Sequence, residues 1–265
     1  MNPDKYSKLP IDPVVTELYR HGPNPGFDFP PPAARLLDIL ATGLTPQSPQ
    51  VTLNASDYAR ACGYTSQAAL RKQVKKDLDV LASLSLPAGD RGAQCQLLTK
   101  IENSGGKLTV TFSEPVAHRL THCPRVDFPN TLFSVNVQKQ NIYFLGHRLA
   151  EFGVAAHTAS AGLLLESCPY IPSADDFAGS RSIFRRKVVD VFDASMDALQ
   201  SAGIITWRYK TCDVSSYQAF EDSMVEFQLT DHPLRQASER ERRPIHIDMT
   251  PYLKKGETFN RTLVF

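Results

Sequence analysis

Arg181, Arg185, Arg186 and Lys187 crowd the front of one stretch, RSIFRRKVVDVF (181–192). Ile183, Phe184, Val188, Val191 and Phe192 recur through it at helical spacing. Cations held along one helix face neutralise phosphates, and arginine can read guanine O6 and N7 with two parallel hydrogen bonds. The placement opposes local stability. A helix start already carries partial positive charge, so each exposed cation there costs about 0.3–1 kcal/mol. An earlier stretch, LRKQVKKDLDVL (70–81), shows the same scheme. Arg71, Lys72, Lys75 and Lys76 come first, Asp77 and Asp79 follow, and Leu70, Val74, Leu78 and Leu81 form an apolar spine.

At about 100° per residue the faces can be assigned. In the first stretch Lys72, Lys75 and Lys76 point away from the spine and Arg71 lies on a flank. In 181–201, Phe184, Val188, Val191, Phe192 and Leu199 point inward. Ser195 shares that face and fits there if its hydroxyl bonds back to the helix. Arg186 points outward, Arg185 and Lys187 flank the core face, and Asp190, Asp193 and Asp197 follow on the outward side. Helix-turn-helix proteins lay the front of their second helix in the major groove, while the rear leaves it and tolerates acids. A solvated, salt-bridged face is the other reading of either helix alone. The scheme occurs twice, each time followed by a hairpin signal, which favours double-stranded DNA as the partner.

Other chemistry is poorly supported. SGGKLT (104–109) lacks the spacing of a phosphate-binding P-loop and suits a hairpin turn better. His118 and His122 stand at i, i+4 beside Cys123, without a further metal ligand in view. PIHIDM offers His246 alone, not the histidine pair a DNA-nicking enzyme would use. Tyr64 and Tyr170 suit turn packing and Trp207 a strand core. No nucleophile–base set can be assembled from spacing. A non-enzymatic protein without metal or cofactor is expected.

These residues need elements to hold them. GPNPGFDFPPP (22–32) cannot be a helix interior and reads as an arm into a helix near 33–43. Residues 54–84 read as two helices about a turn at Gly63, with Asn54 or Ser56 capping the first and Thr65 or Ser66 the second. CQLLTKIENSGGKLTVTF (95–112) reads as a hairpin turning at 103–106. From 141 the plan recurs. NIYFLGHRLAEFGVAA is an amphipathic helix, SAGLLLESCPYIPS a short helix ended by Pro169, and 181–201 a long helix closed by Gly203. Strands follow at 204–210 and 223–230, joined by a polar loop.

The two halves align in order. Arg35-Leu36 with Asp38-Ile39 matches Arg148-Leu149 with Glu151-Phe152, and Cys62-Gly63-Tyr64 matches Cys168-Pro169-Tyr170. Residues 173–180 then read as an insert in the second copy. The expected fold is α+β, mainly α, with two tandem winged helix-turn-helix domains related as an internal repeat. The boundaries are an arm at 1–32, domains at 33–128 and 129–234, and a charged tail at 235–265. Wing residues Lys100, Lys107, Arg208 and Lys210 would add phosphate or minor-groove contacts.

The bulk numbers allow this. The chain has 265 residues, 42% hydrophobic and 22% charged, which are globular values. A net charge of +1 makes the local clusters, not the total, carry any nucleic-acid argument. Five scattered cysteines without a C-x-x-C pair suggest reduced thiols and a cytoplasmic location. No membrane-spanning run or apolar leader is visible.

The order of elements resembles the replication initiator (Rep) proteins of plasmids and related mobile elements. The likeness rests on LFSVNVQKQNIYFLGHRLAEF (132–152), CPYIPS and RRKVVDVFDASMDALQSAGIITWRY. It covers about 110–235 well and the first half more loosely. It implies tandem winged-helix domains that bind direct repeats (iterons) in an origin, open it, recruit a host initiator and helicase, and often dimerise to repress their own gene. It implies that Ser66, Gln67, Arg71, Lys72, Lys75 and Lys76 read one major groove. Arg181, Ser182, Arg185, Arg186 and Lys187 would read the next. A transcriptional repressor with the same folds, a protein-interaction module docking acidic partners, and a nuclease or recombinase with an unseen site are the alternatives.

Overall fold

The computed structural model describes residues 6–22, 29–87, 93–137, 140–172 and 181–230. The architecture is mainly helical with four small antiparallel sheets. The tail at 235–265 and the insert at 173–180 lie outside the described residues.

The chain begins with β1 (Tyr6–Pro10) and α1 (Pro13–His21), within the stretch read from sequence as an arm. These residues are folded into the body. Leu9, Val15, Leu18 and Tyr19 are buried. Asp12 caps α1 by accepting from the Val14 and Val15 amides at 3.0 and 3.1 Å. Its other oxygen meets Arg119 Nε at 2.7 Å. β1 pairs with β7 (Arg125–Pro129), more than a hundred residues away.

The first half continues with α2 (Pro31–Thr42), β2 (Gln50–Asn54), α3 (Ala55–Ala61) and α4 (Gln67–Ser83). A short pair, β3 (Ser85–Pro87) and β4 (Gln94–Gln96), precedes the hairpin β5 (Leu98–Ser104) and β6 (Lys107–Phe112). The turn is two residues, Gly105 and Gly106, at φ +58° and +77°. Both conformations suit glycine, and this primed turn matches the strand twist. β2 adds to the hairpin in the order β2-β6-β5. Leu108, Val110 and Phe112 alternate inward. α5 (Glu114–His122) leads into β7.

The second half holds α6 (Gln140–Glu151), β8 (His157–Ser160) and α7 (Ala161–Leu165). Its long helix runs as α8 (Arg181–Phe184), a π-turn (Arg185–Val189) and α9 (Asp190–Ser201). β9 (Ile205–Thr211), α10 (Tyr217–Glu221) and β10 (Met224–Leu229) complete it, with sheet order β8-β10-β9. Each half runs helix, strand, helix, longer helix and ends in a three-stranded sheet, but the first half carries the extra pair β3–β4 and the second places α10 between its last two strands. The strands β2 and β8 were not anticipated from sequence. Each is four or five residues long, too short for a periodic signal.

The halves meet at α2 and α6 around buried polar groups. Tyr19 and Tyr143 donate their hydroxyls to the two oxygens of Asp38, at 2.7 and 2.6 Å. His147 Nε2 lies 3.7 Å from Asp38, and its Nδ1 lies 3.2 Å from Glu151. Glu151 also pairs with Arg148. Burial alone would lower the His147 pKa, but Asp38 and Glu151 together raise it. Burial holds the Asp38 carboxyl above the usual range against His147 and the two hydroxyls. Gly146 leaves room beside this joint, where a Cβ would collide with Leu132.

Candidate nucleic-acid interface

α4 starts where Ser66 caps it, its hydroxyl accepting from the Ala69 amide at 3.4 Å. Leu70, Leu78 and Leu81 are buried on the spine, with Val74 packed beside them. Gln67, Arg71, Lys72, Lys75 and Lys76 are exposed. Among the described residues none of these four cations has an ion-pair or hydrogen-bond partner. A positive stripe thus lies open along the first half of the helix, as the spacing predicts.

Asp77 does not behave as part of an outward acidic rear. It is 1% exposed and accepts from Gln73 Nε2 at 2.7 Å, while its other oxygen has no hydrogen bond. Burial pushes its pKa up to about 6, against Gln73, Arg35 and Lys76, which pull it down. A folded-state value above the ordinary one means that protonation favours the fold. This stability is full below about pH 4 and is lost as pH rises to about 6. Asp77→Asn is therefore expected to stabilise the protein by about 1–3 kcal/mol at pH 7.5 and little at pH 4. Urea melts at both values check this, and an unchanged melt at pH 7.5 contradicts it.

In the second half, Arg185, Arg186 and Lys187 are all exposed and have no described ion-pair or hydrogen-bond partner. Ser182 and Ile183 are exposed beside them, and the side chain of Arg181 lies outside the described residues. Phe184, Val188, Val189, Phe192, Met196 and Leu199 are buried. Val189 joins the core and Arg185 leaves its flank, which uniform helical spacing does not give. Ser195 donates to the Val191 carbonyl at 2.8 Å, the back-bond that its buried position requires.

The acids behind these cations have a structural use. Asp193 accepts from the Tyr209 hydroxyl at 2.7 Å, and Asp197 from the Trp207 indole at 3.1 Å. They fasten β9 to the long helix. Trp207 is packed against the core but half-buried, not fully enclosed.

The two strand pairs read from sequence as wings differ from each other. Lys107 is exposed at the β5–β6 turn, and Lys100 pairs with Glu102 at 2.8 Å on the open strand. In the second half Arg208 meets Glu226 at 2.6 Å, with Lys210 at 3.9 Å from the same carboxylate and 3.4 Å from Thr158. These two cations are partly neutralised in place. The polar loop expected between β9 and β10 contains α10, whose Phe220 is fully buried near Phe184 and Phe192.

The remaining groups serve packing. Tyr64 accepts from Arg35 at 3.0 Å, and Tyr170 donates to the Phe29 carbonyl at 3.1 Å. His118 and His122 stack on α5 with ring centres 4.0 Å apart. SGGKLT forms the hairpin turn. His246 lies outside the described residues. Among the described residues no helix is long and apolar enough to cross a membrane.

No protein-family model and no curated protein sequence matches this chain. Solved structures do. A Pi initiator protein crystallised in complex with iteron DNA superposes with a TM-score of 0.62 at 14% identity, covering 88% of this chain and all of that one. Domains 2 and 3 of RctB match at a TM-score of 0.44 and 11% identity over 76% of this chain and 83% of that one, too low to bear on the fold. The chain has the fold of the Pi initiator.

Proposed function

We propose that this protein binds double-stranded DNA by sequence and initiates replication of a plasmid or mobile element at direct repeats. The reading takes the two halves as tandem winged-helix domains, repeated copies of one plan, working in the cytoplasm without catalysis. α4 lies in one major groove and the front of α8 and the π-turn in the next. A single observation carries it: two long helices, each reached through a helix, a strand and a short helix, present cations at their front that have no partner among the described residues. The Pi initiator, which shares the fold, was crystallised with iteron DNA.

Arginines there can discriminate guanine, lysines hold phosphates, and Lys107 at the first wing reaches adjacent backbone. The paired Arg208 and Lys210 contribute less. A host initiator or helicase, and a second copy of this chain, are the protein partners this reading implies. Footprinting on DNA flanking the coding sequence tests it. The expected result is protection of direct repeats, with two successive major grooves, about ten base pairs apart, covered on one face. Protection of an inverted repeat alone would point to a repressor instead. No protection of any duplex would overturn the reading.

A further inference from the structure

The π-turn at Arg185–Val189 interrupts the long helix where its cations sit. Its mark is the Asp190 amide, which bonds the Arg185 carbonyl five residues back. In an unbroken helix, positions seven apart lie within about 20° of each other. Arg185 stands seven residues before Phe192, which is fully buried. A regular helix would thus aim Arg185 into the core and leave Phe184 about 80° off the buried face. The opposite is found: Phe184 is 4% exposed and Arg185 is exposed. A π-turn holds one more residue than an α-turn, which rotates everything before it by roughly one residue's step. Phe184 then packs near Phe220 and Tyr217, at ring distances of 6.1 and 5.8 Å.

We propose that this π-turn is a positioning device, setting the angle at which Arg185 and Arg186 leave the helix and hence which base edges they meet. The inference rests on the DNA-binding reading above and deepens it. The turn brings three adjacent cations to solvent within one turn while Val188 and Val189 both stay in the core. It also explains why Arg185 is exposed and not on the flank that uniform helical spacing assigns to it. Π-turns cluster at functional sites because they re-aim side chains without breaking the helix.

A transposition tests this with composition held constant. Phe184→Arg combined with Arg185→Phe puts the phenylalanine seven residues before Phe192, in register for a regular helix, and keeps every charge. The expected result is a folded protein, with an unchanged urea melt, that still binds scrambled duplex. Its preference for the direct-repeat duplex should fall about 10- to 100-fold, the discrimination carried by one bidentate arginine. A full preference in the transposed protein overturns the inference. Deleting Val189 is the companion variant. It removes the extra residue yet leaves Phe184 seven positions before Phe192, with Arg185 and Arg186 still outward. It is expected to keep most of the preference, and a loss as large as the transposition's overturns the inference too. If wild type itself shows no preference for repeats, the functional reading has failed, and that outcome is distinct.

Discussion

Asp38→Ala is expected to cost about 3–5 kcal/mol of stability, enough to unfold much of the population. The side chain is 4% exposed and accepts hydroxyl hydrogen bonds from α1 (Tyr19) and α6 (Tyr143). Removing it leaves the buried Tyr143 hydroxyl without its acceptor, at about 1–3 kcal/mol, and leaves Tyr19 only the Ala34 carbonyl at 3.2 Å. It also strips His147 of one of its two carboxylate partners. The loss falls where three elements meet, so α1, α2 and α6 should loosen together. Asp38→Asn keeps an acceptor and the shape, and is expected to cost less. Urea melts measure the difference, and a loss under about 1 kcal/mol for the alanine variant would contradict this account of the joint.

Arg185→Ala with Arg186→Ala is expected to have the second large effect, on binding and not on folding. Both side chains are exposed and lack a described partner, so melting should shift by less than about 0.5 kcal/mol. Each arginine able to read a base is worth about 1–3 kcal/mol of discrimination. The double variant should lose about 2–4 kcal/mol of specific affinity, measured by fluorescence anisotropy on a direct-repeat duplex. Unchanged affinity would remove the second helix from the interface.

Much of the positioning was legible because it is local. The spine of Leu70, Leu78 and Leu81 follows helical period, and Gly105-Gly106 specifies a two-residue turn. Ser195 on an apolar face called for its own back-bond, and it has one. Strands at 204–210 and 223–230 appear as Ile205–Thr211 and Met224–Leu229. The parts that were missed are non-local or irregular. β1 finds β7 across more than a hundred residues, and nothing in the sequence of Tyr6–Pro10 names that partner. Asp38 on α2 gathers Tyr19 from α1 and Tyr143 and His147 from α6, a meeting no spacing rule encodes. Asp77 looked like the start of an acidic rear because helical phase alone cannot tell a flank from a buried edge. The π-turn broke the uniform period on which the faces of 181–201 were assigned. Its trace was present, since Arg185 stands seven residues before Phe192, where a core residue belongs.

The central claim is that the cation faces of α4 and the α8 front hold a DNA duplex by sequence. The most direct measurement is the affinity of the whole protein for a direct-repeat duplex and for a scrambled one, from about 50 to 200 mM salt. The account predicts repeat binding tighter by about 10³-fold or more, and a log–log salt slope of about −0.9 for each phosphate held. Equal affinity for both duplexes, or a slope near zero, would contradict it.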